Sequence, residues 1–121
     1  MPGNLVHFEL PAEDTKRAMD FYRQLFGWEF SGFEGPVEYN MTQAGGGAGG
    51  AVYPRQENER GPIVYFDTDD IDATVARIND LGGKAEQKQA IPGVGWYARA
   101  RDTEGNAISL FQSDESVQPS G

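Results

Sequence analysis

The chain contains no cysteine, which excludes disulfide bonds, zinc–thiolate sites and a cysteine nucleophile. His7 is its only histidine. It also lacks a run of about 18 apolar residues, so no membrane span is expected. The N-terminus shows no basic segment followed by an apolar one, so no signal peptide is expected either. We therefore expect a cytoplasmic protein whose 121 residues form a single domain with a modest core.

Basic residues are also scarce, with 10 Lys and Arg against 19 Asp and Glu, and the net charge is −9. Nucleic-acid binding normally needs a basic patch, so no nucleic-acid partner is expected. Glycine is plentiful, and much of it lies in AGGGAGGA (44–51). This run lacks the lysine of a phosphate loop and leads into a predicted strand, so we interpret it as a flexible loop. The tail SDESVQPSG (113–121) has the composition of a flexible segment.

The stretch LVHFELP (5–11) alternates polar and apolar side chains, which predicts a strand with one face in the core. His7 and Glu9 share the other face. The following AEDTKRAMDFYRQLFGWEF has apolar residues at helical spacing. Asp14 is the predicted N-cap, and Gly27 is predicted to end the helix.

The second half of the chain repeats this plan in PIVYFDTDDIDATVARINDLGGKAE, where Asp69 or Asp70 is the predicted cap. Placing Asp14 on Asp70 gives an offset of 56 (70 − 14), and the same offset places Gly27 on Gly83. The constant offset indicates an internal repeat. We predict module one at about 3–55, a linker at about 55–61 and module two at about 62–112. Each module is predicted to consist of a strand, a helix and three further strands. The three further strands are predicted at about 28–33, 37–42 and 50–55 in module one, and at about 84–89, 95–101 and 106–112 in module two.

The stretches HFELPAEDTKRAMDFYRQLFGWEF, VYFDTDDIDATVARINDLGGK and DTEGNAISLFQ resemble the vicinal oxygen chelate superfamily, the glyoxalase, bleomycin resistance and extradiol dioxygenase group. The chain is most similar to small single-domain glyoxalase-like proteins. The resemblance implies an α+β fold in which two tandem βαβββ modules form an open, cup-shaped mixed sheet. It also implies a homodimer. The superfamily includes lyases, epimerases, dioxygenases and non-catalytic drug binders, so the fold does not define the activity.

The resemblance also implies where a divalent metal would bind. The metal enzymes of the superfamily take ligands from the first and last strand of each module, which here are His7, Tyr53, Ile63 and Ser109. Only His7 is a good ligand, and catalytic sites generally need about three protein ligands. Glu9 shares the face of His7, but their backbones are about 7 Å apart. We therefore expect no metal and no other cofactor.

Alternation along the strands predicts which side chains line the cup. Within 94–101, either Trp96 with Ala98 or Tyr97 with Arg99 faces inward, and we favour Trp96. Aromatic groups dominate the predicted lining, which favours a flat or apolar organic ligand. The predicted ligand-binding residues are Tyr39, Met41, Tyr53, Ile63, Tyr65, Trp96, Ser109 and Phe111.

Three functions follow from these observations. The first is binding of a small aromatic or apolar molecule without the metal site. The second is a metal-dependent lyase or dioxygenase reaction with His7, Glu9 and Tyr53 as unusual ligands. The third is metal-free isomerisation or cyclisation with His7 or Glu9 as the catalytic acid or base. A purely structural His7, hydrogen-bonded within the cup, is the alternative to a catalytic one. The sequence leaves open whether the chain is an enzyme.

Overall fold

A computed structural model of the chain describes residues 3–33, 35–43, 48–57 and 59–118. These residues fall into two units. The first unit is Val6–Ile63, and the second unit is Met1–Leu5 together with Val64–Gly121. Within the described stretches, no helix combines the length and the apolar character needed to cross a bilayer.

The first unit has one helix and four strands, and its strand order is β2-β3-β4-β1. β1 pairs with β4 in parallel, whereas β3 is antiparallel to both of its neighbours. The order along the chain is therefore βαβββ, as predicted for module one. The elements are β1 (Leu5–Ala12), α1 (Thr15–Phe26), β2 (Phe30–Gly32), β3 (Asn40–Gln43) and β4 (Gly49–Pro54).

Local sequence determines both ends of α1. The Asp14 side chain accepts a hydrogen bond from the Arg17 backbone N–H, which satisfies one of the free donors of the first turn. Gly27 adopts the left-handed conformation with φ 76°, and its N–H donates to the Arg23 carbonyl. A side chain at position 27 would be strained in that conformation. The predicted cap and helix end are both confirmed.

Aromatic rings fill the space between α1 and the strands of the first unit. Trp28 stacks on Tyr22 with ring centroids 5.0 Å apart, and the Phe8 ring lies 6.0 Å from Trp28. Gly50, on β4, lies directly beneath Phe8. A Cβ atom at position 50 would lie only 2.3 Å from the Phe8 ring. The ring therefore occupies the volume that a side chain at position 50 would need.

The second unit repeats the plan, and its strand order is β5-β9-β8-β6, with β7 also paired to β8. The single predicted strand at 84–89 is instead two short strands that pair with successive parts of β8. From Ala85 to Gln89 the chain advances by four residues, whereas their partners on β8, Ala100 and Tyr97, are three residues apart, so one extra residue interrupts the ladder. The elements are β5 (Ile63–Asp67), α2 (Ile71–Asp80), β6 (Lys84–Ala85), β7 (Gln89–Ile91), β8 (Gly95–Arg101) and β9 (Ala107–Ser113).

The core of the second unit lies between α2 and strands β8 and β9. Ile71, the first residue of α2, is 1% exposed. Of the two predicted caps, Asp70 is the N-cap, and its side chain accepts from the Ala73 N–H. The buried cluster is Ile71, Ala98, Ala100 and Leu110, surrounded by Phe66, Val75, Ile78, Ala85, Trp96 and Ile108. The α+β class and the repeated βαβββ plan predicted from the sequence are thus confirmed, with one strand of the second module divided into β6 and β7.

Two predicted flexible segments are described only in part. Of the glycine run, residues 44–47 lie outside the described residues, and Gly49 and Gly50 belong to β4. In the predicted tail, Val117 is buried, and its carbonyl accepts a hydrogen bond from the Gly93 N–H. Residues 119–121 lie outside the described residues.

Candidate functional site

One face of the first-unit sheet is turned away from α1, and β4 lies in the middle of it. On this face, His7 and Glu9 of β1 are in register with Gly49 and Ala51 of β4. Side chains of paired residues point to the same side of a sheet. Because Gly49 and Ala51 are small, the side chain of Tyr39, which precedes β3, can reach across β4 to β1.

The Tyr39 hydroxyl joins His7 and Glu9. Its oxygen lies 2.7 Å from His7 Nε2, and the hydroxyl donates to Glu9 Oε2 over 2.6 Å. Since the single phenolic proton is donated to Glu9, the oxygen accepts from His7, which places a proton on Nε2. The two rings also stack, with centroids 6.1 Å apart and an interplanar angle of 23°. The three side chains therefore form one polar network, which we call the Tyr39 network.

The Glu9 carboxylate of this network is buried. Glu9 is only 4% exposed, and a carboxylate in such a place is costly unless hydrogen bonds satisfy it. The Tyr39 hydroxyl supplies one of those bonds. The sequence prediction placed His7 and Glu9 on one face, and the structure brings both to the hydroxyl of Tyr39.

Tyr53 adds a second aromatic ring beside the network. Its ring centroid lies 6.0 Å from that of Tyr39, and the residue is 6% exposed. Its hydroxyl donates to Glu59 Oε2 over 2.5 Å, while Glu59 Oε1 accepts from the Gln56 N–H. Through these hydrogen bonds, Glu59 of the predicted linker contacts the site. Sequence reasoning missed it because it lies outside any regular element. Met41, also predicted to bind ligand, is half-buried two residues after Tyr39 on the same face.

A corresponding face of the second unit is turned away from α2. Strand register places Ser109 opposite Tyr65 on one side and Arg99 on the other. Tyr97 is opposite Phe111 on the same face. The structure thus brings together three of the predicted residues, Tyr65, Ser109 and Phe111.

Arg99 is the central charge of this second face. Its guanidinium carbon lies 5.6 Å from the Tyr65 ring centroid and 5.8 Å from that of Tyr97. Both distances are within the range of cation–π attraction. The sequence prediction considered Arg99 only in the orientation of β8 that it did not favour.

The orientation favoured for Trp96 is wrong. Trp96 packs against the buried cluster under α2, on the side of Ala98 and Ala100. The alternating ARAR segment provides the reason, since burying Arg99 and Arg101 against a helix would leave two charges in the core. Small alanines instead face α2 and allow it to approach closely.

The donor set at the superfamily's metal positions does not fit a divalent ion. Ile63 has no ligand atom, and the Ser109 hydroxyl is fully buried and donates to the Ala98 carbonyl. The Tyr53 hydroxyl is committed to Glu59, and His7 Nε2 to Tyr39. Within 3–33, 35–43, 48–57 and 59–118, no group of three or more His, Asp or Glu side chains is arranged to hold a metal.

Hydrogen bonds lower the pKa of a carboxylate at the end of β5 and of another just after β8. Hydrogen bonds from the side chain and backbone of Asn106 hold the pKa of Asp102 below its usual range. The backbone N–H of Asn4 does the same for the pKa of Asp67. Both groups therefore stay ionised at neutral pH. Asp102 accepts within the turn before β9, whereas Asp67 accepts from the segment that precedes β1.

Comparison with known proteins gives consistent matches. The family model described as "Glyoxalase/Bleomycin resistance protein/Dioxygenase superfamily" matches residues 4–110. A "Glyoxylase-like domain-containing protein" of Didymella fabae is 31% identical over 119 residues, covering 89% of this chain and 92% of that protein. The "Anthracycline biosynthesis protein DnrV" of Streptomyces peucetius is 28% identical over 130 residues. That match covers 92% of this chain and 47% of DnrV, so the chain spans about half the length of that relative.

Solved structures share the fold. A methylmalonyl-CoA epimerase from Mycobacterium tuberculosis superimposes with a TM-score of 0.70 at 19% identity, covering 93% of this chain and 88% of that one. A methylmalonyl-CoA epimerase in complex with methylmalonyl-CoA gives 0.72 at 19% identity, covering 98% and 100%. At this identity the likeness concerns the fold alone.

Proposed function

The chain belongs to the Glyoxalase/Bleomycin resistance protein/Dioxygenase superfamily, and from its site we propose that it binds a small aromatic or apolar organic molecule beside the Tyr39 network, without a metal ion. The observation that supports this proposal is the Tyr39 hydroxyl, held between His7 and Glu9. A hydroxyl fixed on both sides is a preorganised polar group.

The surroundings of the network favour a flat ligand. Tyr53 lies beside Tyr39, and Phe33 contacts Tyr39 edge-on with ring centroids 6.3 Å apart. Phe33 is 45% exposed, so a ligand can reach its ring. Aromatic walls with a few convergent polar groups are typical of sites for organic molecules. The name of DnrV refers to anthracyclines, which are flat polycyclic aromatic compounds, and this similarity supports the same ligand class.

Tyr39→Phe tests this proposal, with 2-naphthol as the probe. The substitution keeps the ring but removes the hydroxyl that orients His7 and Glu9. We expect the affinity for 2-naphthol to fall about tenfold, since a hydrogen bond to a charged network is worth at least that factor. Isothermal titration in the presence of EDTA measures the affinity without divalent ions.

Tyr22→Phe is the matched control, because Tyr22 undergoes the same chemical change on the opposite, α1 side of the sheet. We expect its affinity to equal that of the unmodified protein. Three results would contradict the proposal: no binding of 2-naphthol, equal binding by Tyr39→Phe, or binding that requires added zinc, nickel or iron.

A second candidate is metal-free proton transfer, and the direction of the hydrogen bonds favours it. Tyr39 accepts from His7 and donates to Glu9, so the Glu9 carboxylate is held in place beside a bound substrate. Glu9 would take a proton from the substrate as the base and, as the carboxylic acid, would return a proton to it, while Tyr39 stays hydrogen-bonded to His7 and Glu9.

Deuterium exchange tests this candidate. With phenylacetone in D₂O, we expect the protein to accelerate exchange of the methylene protons about 100-fold over buffer, as measured by proton NMR. Glu9→Gln should exchange at the buffer rate, and Glu13→Gln, which alters an exposed carboxylate, should exchange like the unmodified protein. Exchange at the buffer rate in the unmodified protein rules out this candidate while leaving simple binding intact.

A further inference from the structure

The second-unit face around Arg99 carries a recognition element that the Tyr39 network lacks. We propose that this face binds the carboxylate of an aromatic acid, with Arg99 as the residue that holds it. This site lies within the second unit alone, and the inference goes beyond the binding function proposed above for the first unit.

The geometry of Arg99 supports this role. The guanidinium carbon of Arg99 lies over the rings of Tyr65 and Tyr97, 5.6 and 5.8 Å from their centroids. Contact with two rings restrains the position of the guanidinium. Its fork matches the two oxygens of a planar carboxylate.

The neighbours of Arg99 provide a surface for an aromatic ring. Tyr97 and Phe111 are paired across β8 and β9 and lie on the same face, next to the Arg99–Ser109 pair. Both are half-buried, so their rings are partly accessible. An aromatic acid can place its ring against these side chains while its carboxylate meets Arg99.

Arg101, also on β8, provides a comparison for the exposure and contacts of Arg99. It lies two residues further along β8 on the same face, but it is exposed, and it donates to the Gly105 carbonyl of the adjoining turn. Arg99 differs from it in being half-buried and in lying over two tyrosine rings.

The net charge of −9 does not oppose an anionic ligand at this position. Charges separated by more than about 8 Å are largely screened at physiological ionic strength, so the local cation outweighs distant carboxylates.

Two isosteric probes test the proposal. 2-Naphthoate and 2-naphthamide share a ring system, but only the first is charged. We expect the protein to bind 2-naphthoate about tenfold more tightly than 2-naphthamide. Arg99→Met should abolish this preference by weakening only 2-naphthoate, and Arg99→Lys should retain part of it, because lysine keeps the charge but not the fork. Arg101→Met is the matched control and should retain the full preference.

Several outcomes would overturn the inference: equal affinity for the two probes, no binding of 2-naphthoate at millimolar concentration, equal weakening of both probes in Arg99→Met, or loss of the preference in Arg101→Met. Circular dichroism verifies folding of each variant, and Arg99→Lys provides the result if Arg99→Met does not fold. If 2-naphthoate is not preferred but 2-naphthol still binds in a Tyr39-dependent manner, the inference fails and the proposed function survives.

Discussion

Gly95→Ala is expected to lower the free energy of unfolding by about 3 kcal/mol or more. Gly95 begins β8 and is buried, and an added Cβ would lie 2.1 Å from the Gln112 carbonyl oxygen and 3.1 Å from the Asp114 nitrogen. Both contacts are with backbone, so no side-chain rotation relieves them. The strand β9 must therefore move away from β8.

This movement also affects α2. The Gln112 side chain accepts a hydrogen bond of 2.7 Å from the Ile71 N–H at the start of that helix. Displacing residue 112 weakens this bond together with the β8–β9 pairing. Thermal unfolding followed by circular dichroism should show a midpoint lowered by about 10 °C or more.

Gly32→Ala is the control for this substitution. Gly32 lies in β2, and a Cβ there would meet no atom within 4 Å. We expect its unfolding midpoint to stay close to that of the unmodified protein. A stable Gly95→Ala variant would show that β8 and β9 can separate without cost, contrary to the packing described above.

Ile71→Ala is expected to destabilise the protein by about 2–5 kcal/mol, the range for truncating a buried isoleucine. Ile71 is 1% exposed and lies between α2 and the alanines of β8. Ala98 and Ala100 are too small to fill the space that the truncation leaves, so a cavity persists. Urea denaturation measures the loss.

The graded control for this position is Ile71→Val, which removes one methylene and is expected to cost about 0.5–1.5 kcal/mol. If both variants lose the same amount, the cost would come from the helix start instead of from the cavity. If neither is destabilised, Ile71 is not a core residue.

Local chemistry explains why the helices could be predicted. Asp14 and Asp70 each accept an N–H three residues later, and both bonds depend only on neighbouring residues. The fixed offset between the modules extended this reasoning to the whole chain. The interruption of the strand at 84–91 was missed because it comes from a one-residue change of register on β8, which alternation within the segment does not reveal.

For the site, the sequence predicted only which side chains share a face of a strand, because the contacts between them join residues that are distant in the chain. Alternation placed His7 and Glu9 together, but the bond to Tyr39 depends on β4 lying between β1 and β3. For β8, both orientations alternate equally well, so alternation alone could not decide between them. The segment ARAR indicates which face of β8 packs against α2, because alanine side chains allow a helix to pack closely and buried arginine side chains do not.

The contact between Phe8 and Gly50 has an evolutionary consequence. The two positions share one volume, because a Cβ at position 50 would lie 2.3 Å from the ring. A larger residue at position 50 therefore requires a smaller one at position 8. Related sequences that keep this strand pairing should covary at these two sites. A lineage that exchanges the large and small residues must pass first through an underpacked intermediate, so stability held in reserve elsewhere in the chain determines whether that route is open.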